Sequence, residues 1–174
     1  MASIINVDNI RAVGSSNTAM TVDSTGYVFP KLPHFNFRSS AGQTVATGTV
    51  TVITTFDTAT SDTHNFCDTT NKRVQFNSTT AGTYLITYGF KVNNVTAARI
   101  GAWIKTDASS NYIGYFEMGN CSAYQHQTWT FMNTFSAGDY IYLAVYQDSG
   151  GNMTFYDDST TTMGFPHISG VRIG

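Results

Sequence analysis

The side chains in this 174-residue sequence best suited to nucleophilic or metal chemistry are four histidines and two cysteines. His34, His64, His126 and His167 are scattered, and none falls in an H-x-x-x-H or comparable ligand spacing, so they read as surface or internally satisfied histidines. Cys67 and Cys121 lie far apart, outside any C-x-x-C spacing and without a nucleophile signature; they read as small core residues or as one bridge. No G-x-S-x-G elbow occurs. Asp157 and Asp158, adjacent on a strand, would point to opposite faces and could not jointly flank a scissile bond; on a loop they read as plain acidic residues rather than a calcium site. No catalytic residue, metal ligand or cofactor is expected, and the chain is read as a non-enzyme.

Binding chemistry is better supplied. In Tyr140 to Gln147, Ile141, Leu143 and Val145 share one strand face, the natural core face, while Tyr140, Tyr142 and Tyr146 share the other. A tyrosine surface offers flat apolar area with hydroxyls, which suits sugar rings or protein partners. Packing of the same tyrosines against a neighbouring loop or another protein is an equally good reading.

The elements that must position these residues are strands. Charged residues make up only 11% of the chain and Glu117 is its one glutamate, which argues against solvent-facing helices, whereas aromatics reach 14%. Tyr84, Ile86, Tyr88, Phe90 and Val92 alternate with Thr83, Thr87, Gly89 and Lys91, with Leu85 the one apolar residue on the second face. Shorter runs at 35–38, 50–56, 73–77, 100–105, 112–118, 128–135, 153–156 and 168–173 repeat the pattern. Turn clusters at 80–82, 136–139 and 149–152 separate them. About eight to ten short antiparallel strands predict an all-β sandwich or barrel. A chain of this length buries roughly 70% of its unfolded surface and needs no staple.

Two segments are expected. Residues 1–31 form a short extended arm with strand-like pieces at 4–10 and 19–22, a turn at 23–26 and Tyr27-Val28-Phe29 beyond it; Pro30 and Pro33 bracket the entry to the main domain, 32–174. The arm is too short for a core of its own, and its recurring apolar residues favour ordering by contact. The candidate attachment residues are Ile4, Ile5, Val7, Ile10, Met20 and Val22. MASIINVDNIRAVG has no basic lead and no apolar stretch of about 7 to 15 residues, so no secretory signal is expected. A net charge of −2 with no basic stripe excludes nucleic acid as a natural partner, and no apolar run approaches the roughly 18 residues of a membrane span. The Asn-x-Ser/Thr triplets at Asn77, Asn94, Asn120 and Asn152 are attributed to chance in a Ser/Thr-rich chain.

Phe76-x5-Gly82-x-Tyr84-x-Ile86-x-Tyr88 resembles the core signature of the complement first-component q-subunit globular head, whose trimeric jelly roll is shared with the tumour-necrosis-factor family. It departs at Ile86, where that family usually has Phe. Phe56-Asp57 and Asn65-Phe66-x-Asp68 resemble its Phe-Asp and Asn-x-Tyr-Asp stretches, with a longer spacing to Phe76. Phe135-x2-Gly138-Asp139-x-Ile141-x-Leu143 and Ser169-Gly170-Val171-Arg172-Ile173 resemble its later strands. The likeness spans roughly residues 33–174. Ala19 to Val28, followed by Pro33-His34-Phe35, resembles the collar before such jelly rolls in fibre and appendage proteins of tailed bacteriophages.

These resemblances imply a homotrimeric jelly-roll β-sandwich. They put Leu85 and Thr87, with Ile168, at the trimer interface, and they put Tyr140, Tyr142 and Tyr146 exposed on the outer sheet as a receptor or partner surface. The implied role is a structural protein at the virion surface, a tail or head fibre module held to other virion proteins by its arm and presenting the jelly roll to a host glycan or protein. A capsid decoration protein that stabilises the shell is the alternative, and a secreted trimeric ligand or lectin is a second. No membrane insertion is expected.

Overall fold

Alternating apolar residues settle into strands because a pleated chain sends successive side chains to opposite faces, and only one face of each sheet here has a second sheet to pack on. The computed structural model describes residues 9–11, 18–22, 28–30, 32–92, 97–106, 111–122, 125–155 and 166–174. The chain divides into two units, Met1–Leu32 and Pro33–Gly174. In the first, β1 (Asn9–Arg11), β2 (Thr18–Val22) and β3 (Val28–Pro30) form an antiparallel three-stranded sheet in which Ile10 pairs with Met20 and Val22 with Val28.

The second unit contains β4 (His34–Ser39), β5 (Gln43–Val45), β6 (Thr51–Val52), β7 (Phe56–Asp62), β8 (Cys67–Asp68), β9 (Arg73–Gln75) and β10 (Gly82–Lys91). It continues with β11 (Ala97–Thr106), β12 (Asn111–Cys121), β13 (His126–Phe135), β14 (Tyr140–Gln147), β15 (Met153–Phe155) and β16 (His167–Arg172). Two antiparallel sheets result, one ordered β13-β10-β16-β4-β7 and the other β12-β11-β14-β9-β8 with β6 also on β14. A short β15-β5 pair stands apart from both. Among the described residues there is no helix.

The core lies between the two sheets. Tyr84, Ile86, Tyr88, Phe90 and Val92 enter it from one sheet and Ile100, Ala102, Ile104, Ile141, Leu143 and Val145 from the other, all completely buried. Buried phenols need partners. Tyr84 donates to the Thr80 carbonyl at 2.6 Å, and Tyr88 donates to the carbonyls of Ala102, at 3.3 Å, and Gly114. Phe76 stacks flat on Phe135, with ring centroids 4.1 Å apart, and meets Tyr84 edge-on at 5.1 Å, so one ring ties several elements together.

Two glycines do work no other residue can. Gly82 has a φ of +151°, and a Cβ there would lie 2.6 Å from both Arg172 Nε and the Gly174 carbonyl oxygen, so the start of β10 closes against the chain's last residues. Gly114 has a φ of +59° where β12 carries one extra residue against β11: Ala102 pairs with Phe116 but Ile104 with Ile113. This is a glycine β-bulge. It changes the parity of β12, so Tyr112 and Tyr115 are both exposed although three residues apart.

Asp57 and Asp68 of the resembling motifs, and Asp62 between them, prove to be loop ties. Asp57 accepts from the Ser40 amide at 2.9 Å and the Ser40 hydroxyl, Asp62 accepts from the amides of Phe66 and Cys67 at 2.8 Å, and Asp68 accepts from Asn71 and Arg73. The Asn71 hydrogen bonds, foremost, hold Asp68 below the usual carboxylate range.

Candidate functional site

The residues of β10 that face away from the core begin a surface that crosses the whole first sheet. Its register sets them in rows. Met132, Leu85, Val171 and His34 form one row, and Thr130, Thr87, Ser169, Asn36 and Ser61 form the next. Leu85 is 41% exposed and Met132, on the edge strand β13, 63%. Ile173, which follows β16, is also exposed. Paired threonine hydroxyls stiffen the sheet: Thr87 lies 2.9 Å from Thr130 and Thr83 2.9 Å from Thr134. Between the first two rows lies a shallow groove of about 340 Å3, lined by Leu85, Val171, His34, Asn36, Ser61 and Ser169 among others. At the other end of the face the rings of His126 and His167 stack at 6.4 Å, in register with Lys91 and Arg38 respectively.

Leu85 and Thr87 therefore lie together on an outward face. Ile168 does not join them. It pairs with Tyr88, shares its direction and is 1% exposed, so it belongs to the core and cannot contribute to a surface. Strand parity gives the correction: Ser169 and Val171, one residue to either side of Gly170, are the residues of β16 that face outward beside Thr87 and Leu85. Val171 and Met132 are the interface candidates that the sequence reading omits.

The tyrosines of β14 do turn away from the core, but they are half-buried rather than freely exposed. The Arg73 guanidinium lies 4.4 Å from the Tyr140 ring centroid, and Tyr140 meets Tyr142 edge-on at 5.5 Å. Arg99 lies 4.9 Å over Tyr146 and donates to its hydroxyl at 3.1 Å. Around Tyr146 a polar group assembles from three strands and the turn after β14. Arg99 pairs with Glu117 at 3.8 Å and with Asp148 at 3.6 Å, and Tyr115 donates its hydroxyl to Glu117, which raises the phenol above its ordinary range. Arg99, Tyr115, Glu117 and Asp148 are absent from the sequence-derived candidates, because their proximity comes from cross-strand register and a bulge rather than local spacing.

The remaining chemistry candidates separate. His34 and His64 lie away from the stacked His126–His167 pair, each hydrogen-bonded around Thr63. Asp157 and Asp158 lie outside the described residues, as do Ile4, Ile5 and Val7. Cys67 is a free thiol packed beside the core, and burial, with the nearby Asp62 carboxylate adding, pushes its pKa up. A thiol reagent at about pH 8 is expected to label Cys67 at least about tenfold more slowly in the native protein than in the urea-unfolded chain, read by peptide mass. Equal rates would contradict the burial.

This pair of sheets, one leaving a flat mixed face and the other a tyrosine-rich one, defines a jelly roll of the kind found in tumour-necrosis-factor ligands and complement globular heads. No model of a known protein family matches the sequence, and no curated protein matches it. Solved structures do. Murine APRIL at pH 5.0 superposes with a TM-score of 0.60 at 11% identity, over 82% of this chain and 100% of that one. The globular domain of zebrafish complement 1qA gives 0.52 at 14% identity, over 82% and 98%. PRD1 vertex protein P5 gives 0.59 at 14% identity, over 82% and 97%. At such identities the likeness establishes the fold.

Proposed function

We propose that this chain is a homotrimeric, non-enzymatic structural module of a virus particle, a tail or head fibre appendage. In this reading residues 1–31, with Ile10, Met20 and Val22 on their small sheet, attach it to other virion proteins, and the jelly roll is presented to the host surface. The observation that carries it is the outward face of the β13-β10-β16-β4-β7 sheet. Met132 is the most exposed large apolar side chain among the described residues, and it stands on an edge strand beside a groove lined by Leu85 and Val171. A knob and a groove on one face can be matched by further copies of the chain, either reciprocally about a twofold axis or head-to-tail around a closed ring, and the likeness to trimeric jelly rolls supports the ring of three. Three copies would cover Met132, Leu85 and Val171 at once.

The likeness to a vertex protein, over 82% of this chain, supports the particle assignment. The tyrosine side of the sandwich then faces outward from the trimer.

Light scattering of the purified chain is expected to give three times 19.0 kDa, and a clean monomer at micromolar concentration would overturn the assembly. Labelled antibody is expected to decorate fibres or vertices of particles. Uniform labelling of the shell would replace the appendage with a decoration protein.

A further inference from the structure

The second sheet carries a depression that assembly through the first sheet leaves open. Its floor is Gly101, which pairs with Glu117 of β12 on one side and Tyr146 of β14 on the other. Ile100 and Ala102 point into the core, so position 101 faces outward, and with no side chain there the sheet is locally sunken between its neighbours. Tyr115, 59% exposed, and Tyr146 supply aromatic walls, and Arg99 and Glu117 supply the polar rim. The space measures about 170 Å3, room for one sugar ring.

We propose that this depression binds a single neutral pyranose ring of a surface glycan. A pyranose has a C–H-rich face that stacks on a phenol ring and an edge of neighbouring hydroxyls that both donate and accept hydrogen bonds. Arg99 is a donor only and ionised Glu117 an acceptor only, and they stand side by side, so adjacent hydroxyls find one partner of each kind. The rim is already organised: Arg99 is held by Tyr146, Glu117 and Asp148, and Glu117 by Tyr115, which limits the ordering cost of binding. Charge decides the ligand class. One guanidinium against the carboxylates of Glu117 and Asp148 leaves the rim with net negative charge, which disfavours sialic acids, uronic acids and phosphates.

The inference rests on the reading of this sheet as the host-facing side, and two measurements separate them. Saturation-transfer difference spectra of the full chain with methyl glycosides of glucose, galactose, mannose and N-acetylglucosamine are expected to show saturable, millimolar binding of at least one. Tyr115→Ala, at an exposed position, is expected to weaken it roughly tenfold, and Gly101→Val to abolish it by filling the floor, while Val50→Ala, exposed but outside the depression, leaves it unchanged. Three results would overturn the subsite: no saturable signal from any of the four glycosides, binding indifferent to both Tyr115→Ala and Gly101→Val, or glucuronate and N-acetylneuraminate binding more tightly than the neutral sugars. Adhesion of the wild-type and Gly101→Val trimers to host cells is the second measurement. If sugar binding behaves as expected but adhesion is absent in both, the subsite stands and the host-facing reading falls.

Discussion

Leu85→Arg is expected to leave a folded monomer where the native chain is expected to form a trimer. Leu85 is 41% exposed in the single chain and makes no part of its core, so arginine at that position costs the fold little. Within a closed ring the same side chain would sit where the outward faces of three copies meet. There it would lose its water beside Val171 and Met132 and repel its two symmetry mates, with no carboxylate in its own row or the next to pair with. Burial of an unpaired charge costs several kcal/mol, and about 3 kcal/mol at each contact already weakens association more than a hundredfold. Light scattering at micromolar concentration reads the mass, and the circular dichroism spectrum tests that the sandwich survives. Val50→Arg, equally exposed but in the loop before β6, is the matched control and is expected to remain trimeric. If Leu85→Arg stays trimeric at the same concentration, the copies meet elsewhere.

The contrast between Leu85 and Ile168 shows what the sequence discloses and what it withholds. In β10 five core residues alternate without interruption, so the direction of Leu85 follows from counting. In β16 the sequence His-Ile-Ser-Gly-Val-Arg has apolar residues at 168 and 171, three apart, which fits neither strand face; only pairing of Ile168 with Tyr88 decides which one is inside. Edge strands are hidden for another reason. β7, Phe-Asp-Thr-Ala-Thr-Ser-Asp, contributes a single fully buried residue, Phe56, because an edge strand has a neighbour on one side and little core to fill. It therefore carries almost no hydrophobic period.

The candidate sites divide along the same line. The tyrosines of β14 belong to one strand and are legible as a set. The group around Gly101 is drawn from β11, β12, β14 and the turn that follows, and it depends on a bulge at Gly114 that reverses the parity of β12. Local spacing contains none of that information, because sheet register is a tertiary property fixed by the core. What the sequence does contain is the glycine itself, at 101 between Ile100 and Ala102, a strand-interior position where glycine marks a bulge or the close approach of a ligand or another backbone.

The largest loss of stability is expected from Phe76→Ala. Phe76 lies just beyond β9, yet it is pinned on both of its backbone groups: its amide donates to the Asp139 carbonyl and its carbonyl accepts from the Gly138 amide, each at 2.8 Å. Its ring stacks on Phe135, meets Tyr84, Phe66 and Phe35 at centroid distances of 5.1, 5.8 and 6.3 Å, and is completely buried. The side chain thus joins β4, β10 and β13 of one sheet to the segment leading from β9 of the other. Alanine would leave a cavity bounded by four rings, three of them on strands of one sheet and Phe66 held just before β8, which cannot easily collapse into it, so the cost falls in the range of about 3–5 kcal/mol for a buried Phe→Ala change. That is a large fraction of the 5–15 kcal/mol typical of a whole domain, and it corresponds to a melting temperature lower by roughly 10 °C. Phe76→Leu keeps most of the volume and is expected to cost only about 1 kcal/mol. Both must be melted at the same protomer concentration as the native chain, since assembly adds its own concentration-dependent stability. The comparison with Leu85→Arg then separates the two layers of the molecule: the Phe76 change costs the monomeric Leu85→Arg background the same free energy per chain, because a residue wholly enclosed in one sandwich acts before any second copy arrives.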